Sequence, residues 1–385
     1  MDESTLSPTD NARELATMAK GVGITFLIIA TGYIIMFFFK LFAARILGPD
    51  GFGLYTLFET IVSIAVLLGG LGLIEGVTRY VPIYLKRKKL GLLHGYVSFV
   101  RKHVLVSSIV IGLILFLSAQ YIQQLFSFPE MFADILRLGA VSVPIRAYAR
   151  LLRRSLAARK KVFYQKFGGE VLEKLFLVFS LFLFKFFEFH LVFFFLFIVS
   201  SKLLILFFDM FAYKRFFIVP AAKKRAYLKR EWFLFSLPLL MGAVFSFIVS
   251  WTDNLVIGKL MTRADLGIYA VTYSLAAFAL FFHKAFSPIF IPIISENYAK
   301  KKHAVIDLLY RKSAGWIFGA SVPIVFLMIF FATEVLSLLY GRAFSAGASS
   351  LIVLSFGMLF VIGTGLANSI LILRERTRAL FHVSV

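Results

Sequence analysis

Long apolar runs alternate with short polar or basic turns along almost the whole chain. Runs of about 20 apolar residues have the length that an α-helix needs to cross a bilayer. A short surface helix at about 9–20, capped by Thr9 or Asp10, is expected before the first run. The runs predict ten membrane-spanning helices, at about 21–46, 52–84, 96–121, 131 into a basic segment ending at 166, 171–188, 189–211, 232–258, 266–296, 313–332 and 346–373.

The turn between the first two runs has a counterpart much later in the chain. The segment Arg45-Ile-Leu-Gly-Pro-Asp-Gly-Phe-Gly-Leu-Tyr55 aligns without a gap on residues 259–269, which lie 214 positions further on, so that Gly53 falls on Gly267. With the same offset, Leu125-Phe126-Ser127 falls on Leu339-Tyr340-Gly341. Few residues are identical, but the order of apolar runs, turns and basic loops repeats from about residue 45 to about 158. The pattern predicts a duplicated membrane unit.

The composition supports an integral membrane protein. Of 385 residues, 60% are hydrophobic and 47 are Phe, and the mean hydropathy is +0.88, whereas an ordinary soluble domain is about 45–50% apolar. The chain has no cysteine, which excludes disulfides and thiolate metal sites. No cleavable signal peptide is visible, so the first helix is expected to target the chain to the membrane.

The distribution of positive charge gives a topology. The net charge is +22, and the basic residues concentrate in alternate loops, as they do in membrane proteins whose basic loops stay in the cytoplasm. We therefore predict a cytoplasmic N-terminus, attraction to membrane lipid headgroups and no nucleic-acid partner. The predicted inside segments are 86–89, 146–166, 214–230, 300–302 with 311–312, and 374–378.

These patterns predict an all-α integral membrane protein with about ten transmembrane helices in two lobes of six and four. Because six is an even number, both units enter the membrane from the same side and are parallel repeats with a cleft between them. The predicted domains are an N-terminal lobe (1–213), a basic cytoplasmic linker (214–231) and a C-terminal lobe (232–385). The second unit lacks counterparts of helices five and six, so either the chain is truncated at its C-terminus or its second half is naturally shorter; we expect truncation.

Several short motifs resemble a known family. They are the segment 45–55 quoted above, Gly70-Leu-Gly-Leu73, Thr78-Arg79-Tyr80, Asp253-Asn-Leu-Val-Ile-Gly258 and Asp265-Leu-Gly-Ile-Tyr-Ala270. Together the sequence resembles the polysaccharide biosynthesis flippases of the Wzx (O-antigen exporter) type. These belong to the MATE-like (MOP) superfamily, which also contains lipid II flippases and MATE multidrug exporters.

The resemblance implies a V-shaped central cavity of cationic character between the lobes. It also implies that the protein moves a polyprenyl-diphosphate-linked oligosaccharide across the cytoplasmic membrane for cell-surface polysaccharide or lipopolysaccharide synthesis. The expected partners are that lipid-linked glycan, membrane lipids and other membrane proteins of polysaccharide assembly. No cofactor is expected apart from a coupling Na⁺ or H⁺, and no enzymatic activity.

A substrate of this kind needs fixed positive charge at membrane depth, beside a wet cavity. Ionisable residues within spans cost about 2.5–3.5 kcal/mol on insertion scales, so they usually face the protein interior and mark function. The cationic candidates for substrate binding are Lys40, Arg79, Arg137 and Lys284. Lys284 has no acid within one helical turn. Lys40 and Arg137 have the alternative of extending their charged ends to the membrane interface.

Two acidic residues carry alternative interpretations. Glu75 and Arg79 are four residues apart, so they either pair on one helix face or serve the cavity. Asp253 either pairs with a cation or binds the coupling ion. The nearby pattern Gly72-x-x-x-Gly76 is typical of a close contact between helices.

A third group lies at the inner end of the fourth helix. Arg146, Arg150, Arg153 and Arg154 recur at spacings that place them on one helix face. One interpretation is a topology signal that also contacts lipid headgroups. The other is a cytoplasmic surface that captures the diphosphate, with Arg146, Arg150 and Arg153 as its principal members.

Two other functions compete with the flippase. An ion-coupled multidrug or small-solute antiporter has the same architecture, and its cationic substrates would need the acidic residues Glu59, Glu75 and Asp253 to face the cavity. A membrane glycosyltransferase would need a sizeable outer domain carrying carboxylates. The predicted outer loops have only about 5–14 residues, which argues against it.

Overall fold

The structure is a computed structural model of the chain, and it describes residues 8–187, 190–219, 221–222, 224–299 and 302–364. The predicted basic segment 374–378 and the end of the predicted tenth helix lie outside the described residues. Within them the chain is all α-helical apart from turns and single turns of π and 3₁₀ helix. The fold class is therefore the predicted one.

Thirteen α-helices make up the described residues. They are α1 (Pro8–Gly69), α2 (Leu73–Lys86), α3 (Leu90–Leu125), α4 (Met131–Ala158), α5 (Val162–Lys166), α6 (Glu173–Phe186), α7 (Leu191–Phe216), α8 (Lys229–Leu260), α9 (Arg263–Phe278), α10 (Phe281–Ala299), α11 (His303–Phe330), α12 (Ala332–Tyr340) and α13 (Ala348–Thr364). A π-helical turn (Phe167–Leu172) joins α5 to α6, and a 3₁₀ turn (Arg342–Gly347) joins α12 to α13.

The helix breaks follow glycine, and the sequence predicted some of them. Gly48 has φ 67° and ψ 179°, which kinks α1 where the Gly-Pro turn was predicted, although helix continues on both sides. The helix expected over 9–20 is the beginning of α1 and not a separate element. A second break at Leu71 (φ 49°) and Gly72 (φ 66°) divides the predicted second helix, and the sequence analysis missed it.

Six segments of the described chain are long and apolar enough to cross a membrane. The first, Gly23–Gly69, has 47 residues, and each side of its kink at Gly48 is long enough for one crossing. The protein is therefore a multi-pass membrane protein, while the count of ten spans stays a prediction. The other five segments are Leu90–Leu125, Leu191–Phe216, Lys229–Leu260, Ala304–Phe330 and Arg342–Thr364.

Residue contacts divide the chain into two compact units. The first unit is Phe38–Ala270, in which α4 packs against α2, α3 and α7, and α8 packs against α2 and α3. The second unit contains the described residues before Phe38 and after Ala270, and α11 packs there against α10 and α13. The predicted domain boundaries at residues 213 and 231 stay predictions.

Within the first unit we distinguish two ends of the helix bundle. The basic end carries the α2–α3 turn, the end of α4 and the start of α8. The opposite end carries the kink at Gly48, the α3–α4 turn and the α8–α9 turn. The two ends are named here without reference to the side of the membrane.

Helix boundaries recur close to the offset of 214 residues. α3 begins at Leu90 and α11 begins at His303, 213 residues later. Beyond the end of α3, Ser127 has a positive φ of 53°, and its counterpart Gly341, directly after α12, has a φ of 103°. Positive φ values are uncommon and specific to tight turns. A helix therefore stops at a residue of positive φ at the equivalent position of both repeats, which agrees with the duplication inferred from the sequence.

Candidate functional site

The helix α4 is the centre of the charged interior of the first unit. Its second half carries four arginines at successive spacings of four, three and one residues, directed at acids on α1, α2, α6 and α7. Arg146 and Arg153 are largely buried, with side chains 12% and 21% exposed, whereas Arg150 and Arg154 are about twice as exposed or more. The structure therefore separates residues that the sequence analysis had grouped as one basic face.

The first of these pairs joins α4 to α1. Both terminal nitrogens of Arg146 donate to the carboxylate of Glu59, each at 2.9 Å. Their side chains are 12% and 21% exposed. A bidentate pair of this kind fixes the rotation of both helices.

The second buried group joins α4 to α6 and α7. Arg153 donates to Glu173 at 2.9 Å and to Asp209 at 2.7 Å, and Lys202 donates to Glu173 at 2.7 Å. With the Arg146–Glu59 pair, three cations meet three acids, so this buried network is electrically neutral. Removing one member of such a network would leave an uncompensated charge in the interior, which is strongly destabilising. The network holds four helices in register and offers no excess charge to a ligand.

The other two arginines of α4 share one acid. Arg150 Nη2 lies 2.7 Å from Glu75 Oε1, and Arg154 Nη2 lies 3.0 Å from Glu75 Oε2. The three side chains are 40%, 38% and 25% exposed, in the order Arg150, Arg154, Glu75. Glu75 and Arg150 border a narrow cleft between α1, α2, α4 and α8, and Arg154 binds the same carboxylate from one turn further along α4. The lining of the cleft includes Val66, Leu67, Gly70, Gly72, Ile74, Leu240 and Ala243.

Arg79 lies one turn beyond Glu75 on the same face of α2. It does not pair with Glu75, contrary to one expectation from the sequence; its guanidinium lies over the ring of Phe235, 4.2 Å from the centroid. An arginine held by an aromatic face keeps its full positive charge. We call Glu75, Arg79, Arg150 and Arg154 the arginine cleft. It carries three cations and one acid, a net charge of +2.

The backbone explains why Glu75 is placed there. Gly72, in the left-handed conformation, ends the turn after α1 and starts α2, which puts Glu75 in the first helical turn. A Cβ built on Gly72 would lie 2.2 Å from the carbonyl oxygen of Ser236, and one on Gly76 would lie 2.7 Å from the hydroxyl of Tyr96. The close helix contact predicted from Gly72-x-x-x-Gly76 is therefore confirmed, and it brings α8 against the cleft.

An aromatic cluster fastens the start of α8 beside the cleft. The indole N–H of Trp232 donates to the hydroxyl of Tyr84 at 2.9 Å, and Tyr96 packs edge-on against Trp232 at 5.1 Å between centroids. Tyr80 donates to Glu231 at 3.3 Å. This cluster was not predicted from the sequence. Its signal was the i, i+4 spacing of Tyr80 and Tyr84, which places both rings on one face of α2.

The remaining predicted site residues lie elsewhere. Arg137, in the first half of α4, pairs with Asp134 at 2.7 Å near the opposite end. Lys40 is partly buried in α1. Lys284 belongs to the second unit, is exposed and lies over the ring of Tyr33 at 5.3 Å. The roles predicted for these residues stay predictions.

Asp253 lies near the opposite end, within two turns of the end of α8. Its two oxygens accept the hydroxyl of Tyr269 at 2.6 Å and the backbone N–H of Asn254 at 2.9 Å. The side chain of Asn254 donates to Thr60 at 3.2 Å, which ties α8 to α1. Among the residues that the structure describes, no group of His, Asp or Glu is arranged to hold a metal ion.

Comparisons with known proteins agree on a family and on a fold. The family model described as polysaccharide biosynthesis protein matches residues 42–349. A capsular polysaccharide biosynthesis protein of Staphylococcus aureus is 26% identical over 133 residues, which are 34% of this chain and 34% of that protein. A probable low-salt glycan biosynthesis flippase of Haloferax volcanii is 22% identical over 126 residues, or 33% of this chain and 27% of that protein. The matched segment thus spans about a third of the first relative and about a quarter of the second.

Solved structures share the fold at low sequence identity. An inward-facing multidrug resistance MATE family transporter of the MOP superfamily superposes with a TM-score of 0.68 and 13% identity, covering 94% of this chain and 86% of that one. An outward-facing MATE transporter of the same superfamily has a TM-score of 0.58 and 13% identity, covering 95% and 91%. The predicted MATE-like fold is therefore confirmed.

Proposed function

The chain belongs to the family of polysaccharide biosynthesis proteins, and from this membership we propose that it is a flippase for a lipid-linked glycan. The proposed substrate is an oligosaccharide joined to a polyprenol through a diphosphate, and the proposed process is alternating access in the cytoplasmic membrane. The family and the MATE-like fold favour a transporter and not an enzyme. The glycan flippase named among the relatives supports the substrate class.

The observation that carries the proposal is the arginine cleft. It holds a net charge of +2 on partly exposed side chains, in a chain whose other described α4 arginines are neutralised by buried or neighbouring acids. Arginine is suited to diphosphates because its planar fork donates two parallel hydrogen bonds to neighbouring oxygens. Arg150 and Arg154 are therefore the proposed contacts for the diphosphate, with Arg79 beside them. Arg146 and Arg153 act through the stability of the bundle.

The proposed topology places the basic end of the first unit in the cytoplasm. The α2–α3 turn Lys86–Lys89, the α4–α5 turn Arg159–Lys161 and the α7–α8 connection all carry cations at that end. Cytoplasmic loops have this bias toward Lys and Arg. The arginine cleft then lies toward the leaflet in which the substrate is assembled, and the N-terminus is cytoplasmic.

An ion-coupled antiporter is the second candidate, and Asp253 is the observation that favours it. Its carboxylate accepts two hydrogen bonds and is only partly buried, so it has room for Na⁺ or H⁺. In our proposal the same residue serves as the coupling site of the flippase. The two functions differ in the cargo: a cationic drug would bind acids, whereas a diphosphate requires the arginine cleft.

The test is leaflet transfer in proteoliposomes with a fluorescent polyprenyl-diphosphate sugar. We expect transfer by the wild type, and a loss of at least about tenfold in Arg150→Gln and in Arg154→Gln, because each removes one of two charge-assisted contacts. Asp134→Asn is the matched control, since it breaks an exposed arginine–acid pair on the same helix but at the other end. Transfer by both arginine variants at the wild-type rate would refute the proposed site.

Transfer should also be measured in Lys40→Ala, Arg79→Ala and Lys284→Ala, which remove the other cationic candidates. A loss in Lys284→Ala with no loss in the α4 variants would move the substrate site to the second unit. A protein that moves a cationic dye and no lipid-linked sugar would be the antiporter.

A further inference from the structure

Glu75 has an arrangement that a simple ion pair does not need. Its two carboxylate oxygens are divided between two arginines, one oxygen to Arg150 at 2.7 Å and the other to Arg154 at 3.0 Å. The two arginines are four residues apart on α4, so they stand one above the other on one face. Within the described residues, no other acid contacts either guanidinium.

This bridging carboxylate reproduces the contacts that a phosphate would make. Carboxylates and phosphates both present oxygens to the guanidinium fork, but a diphosphate has more oxygens and more negative charge. We propose that Glu75 is an internal substitute for the diphosphate: it holds Arg150 and Arg154 in the empty protein and gives way when a diphosphate binds between them. This inference rests on the proposed flippase function and specifies the binding step of that same site.

The start of α2 supplies a place for the displaced carboxylate. Gly72 is the N-cap of α2, and no side chain caps it. Glu75 is the third residue of the helix, the position from which a glutamate reaches back to the N–H of the N-cap residue. The helix dipole also favours an acid in this first turn. A rotation of the Glu75 side chain is therefore enough to move it from the arginines to the free end of its own helix.

The exchange has two consequences for transport. In the empty protein Glu75 screens two neighbouring guanidiniums from each other, and it holds the net charge of the arginine cleft at +2, which would be +3 without it. In the loaded protein it competes with the diphosphate, which lowers the affinity and allows release. A protein that must let go of its substrate needs such a limit, because a ligand held too tightly is not turned over.

The experiment measures binding of inorganic pyrophosphate to the full chain in lipid nanodiscs by isothermal titration calorimetry. Glu75→Gln keeps the shape of the side chain and removes the competing charge, so we expect it to bind pyrophosphate about tenfold more tightly than the wild type. Arg150→Gln and Arg154→Gln are expected to lose binding. Asp134→Asn, the matched control, is expected to bind as the wild type does.

A purely structural role for Glu75 would move the measurements in the other direction. Losing a structural pair would weaken or leave unchanged the affinity for pyrophosphate, and that outcome in a folded Glu75→Gln protein overturns the inference. If Glu75→Gln does not fold, Glu75→Asp takes its place. Its carboxylate is one methylene shorter and cannot bridge both arginines, so we expect tighter binding than in the wild type; equal or weaker binding overturns the inference.

The binding experiment and the transfer experiment fail separately. Tighter pyrophosphate binding in Glu75→Gln, together with no transfer of lipid-linked sugar by the wild type, would support the role of Glu75 as a substitute for the diphosphate and refute the flippase function. Transfer that depends on Arg150 and Arg154, together with unchanged pyrophosphate affinity in Glu75→Gln, would support the flippase function and refute the role of Glu75 as a substitute for the diphosphate.

Discussion

Gly53 and Gly267 contact each other's helix reciprocally. A Cβ built on Gly53 would lie 2.0 Å from the carbonyl oxygen of Arg263, and one built on Gly267 would lie 2.0 Å from that of Pro49. The two glycines are 214 residues apart, and so are Pro49 and Arg263. The same contact is therefore made twice, once from each of the two repeated turns. The repeated turn first seen in the sequence therefore packs against its own counterpart. We call this contact, between Gly53 of α1 and Gly267 of α9, the glycine crossing.

We predict that Gly53→Ala and Gly267→Ala each destabilise the protein by about 3 kcal/mol or more. Neither helix can keep its position with a methyl group there, because the opposing atom is backbone. The measurement is thermal unfolding of the purified protein, monitored by size-exclusion chromatography with fluorescence detection. Gly242→Ala is the control: it lies in α8 with nothing within 4 Å of the added methyl group. An unfolding temperature equal to that of Gly242→Ala would contradict the crossing.

This crossing shows what the sequence predicts and what it leaves out. The alignment of Gly53 on Gly267 predicted equivalence, because turn chemistry is local and repeats in the same register. It did not predict contact, because contact depends on how two distant helices pack. The break at Gly72 was missed for a related reason. A glycine between apolar residues looks the same in a continuous membrane helix as in a turn.

We predict that Glu59→Gln and Arg146→Gln each destabilise the first unit by about 3–5 kcal/mol, because each leaves a buried charge without its partner. The double change Glu59→Gln with Arg146→Met removes both charges and should recover most of the loss. Thermal unfolding of the three variants measures this. Single variants as stable as the wild type would show that the pair is not part of the buried network.

The contrast between these arginines is the part of the site that the sequence could not supply. Spacing places Arg146, Arg150, Arg153 and Arg154 on one side of α4, and this much was predicted. Which of them is neutralised depends on Glu59, Glu173 and Asp209, which come from other helices. The i, i+4 rule likewise suggested Arg79 as the partner of Glu75. Two arginines from α4 bind that carboxylate instead, because a pair between helices stabilises the packing and a pair within α2 does not.

We predict that Gly95→Ala releases the connection between α7 and α8. A Cβ on Gly95 would lie 1.8 Å from the carbonyl oxygen of Ala226, whose N–H donates to the carbonyl of Gly91 at 3.0 Å. The connection thus runs directly over the start of α3. When the connection is released, trypsin should cut it after Lys224 and Arg225 several times faster than in the wild-type protein in nanodiscs. Gly242→Ala serves again as control, and equal cleavage rates would show that the connection is not held there.

We predict that Asp253→Asn uncouples transfer from the ion gradient that drives it. The amide cannot take up a proton and binds Na⁺ weakly, while it still accepts a hydrogen bond from Tyr269. Transfer in proteoliposomes should lose its response to an imposed Na⁺ or H⁺ gradient. Its rate without any gradient should stay the same. Tyr269→Phe is the companion variant, which leaves the carboxylate in place and should stay coupled. A gradient response that persists in Asp253→Asn would exclude this residue as the coupling site.

We predict that fastening the glycine crossing stops transport. Asp50 and Arg263 form an ion pair beside it, with 3.6 Å between Oδ1 and Nε, and the ammonium of Lys259 donates to the carbonyl of Leu125 nearby. In the topology proposed above, these contacts close the end opposite the basic end. Alternating access requires that end to open when substrate is released. A protein in which the contact is covalent should therefore bind pyrophosphate but transfer no lipid-linked sugar.

The chain has no cysteine, so a pair introduced at Asp50 and Arg263 is the sole target of a thiol reagent. A short methanethiosulfonate cross-linker should abolish transfer, and dithiothreitol should restore it. Cysteines at Asp134 and Arg137, which face each other within one helix, are the control, because a link inside α4 constrains no motion between helices. Transfer at the wild-type rate by the linked Asp50–Arg263 pair would mean that the crossing stays closed throughout the cycle. The substrate would then have to leave by a route that does not separate the two repeated turns, and the reciprocal glycines would be a fixed pivot instead of a gate.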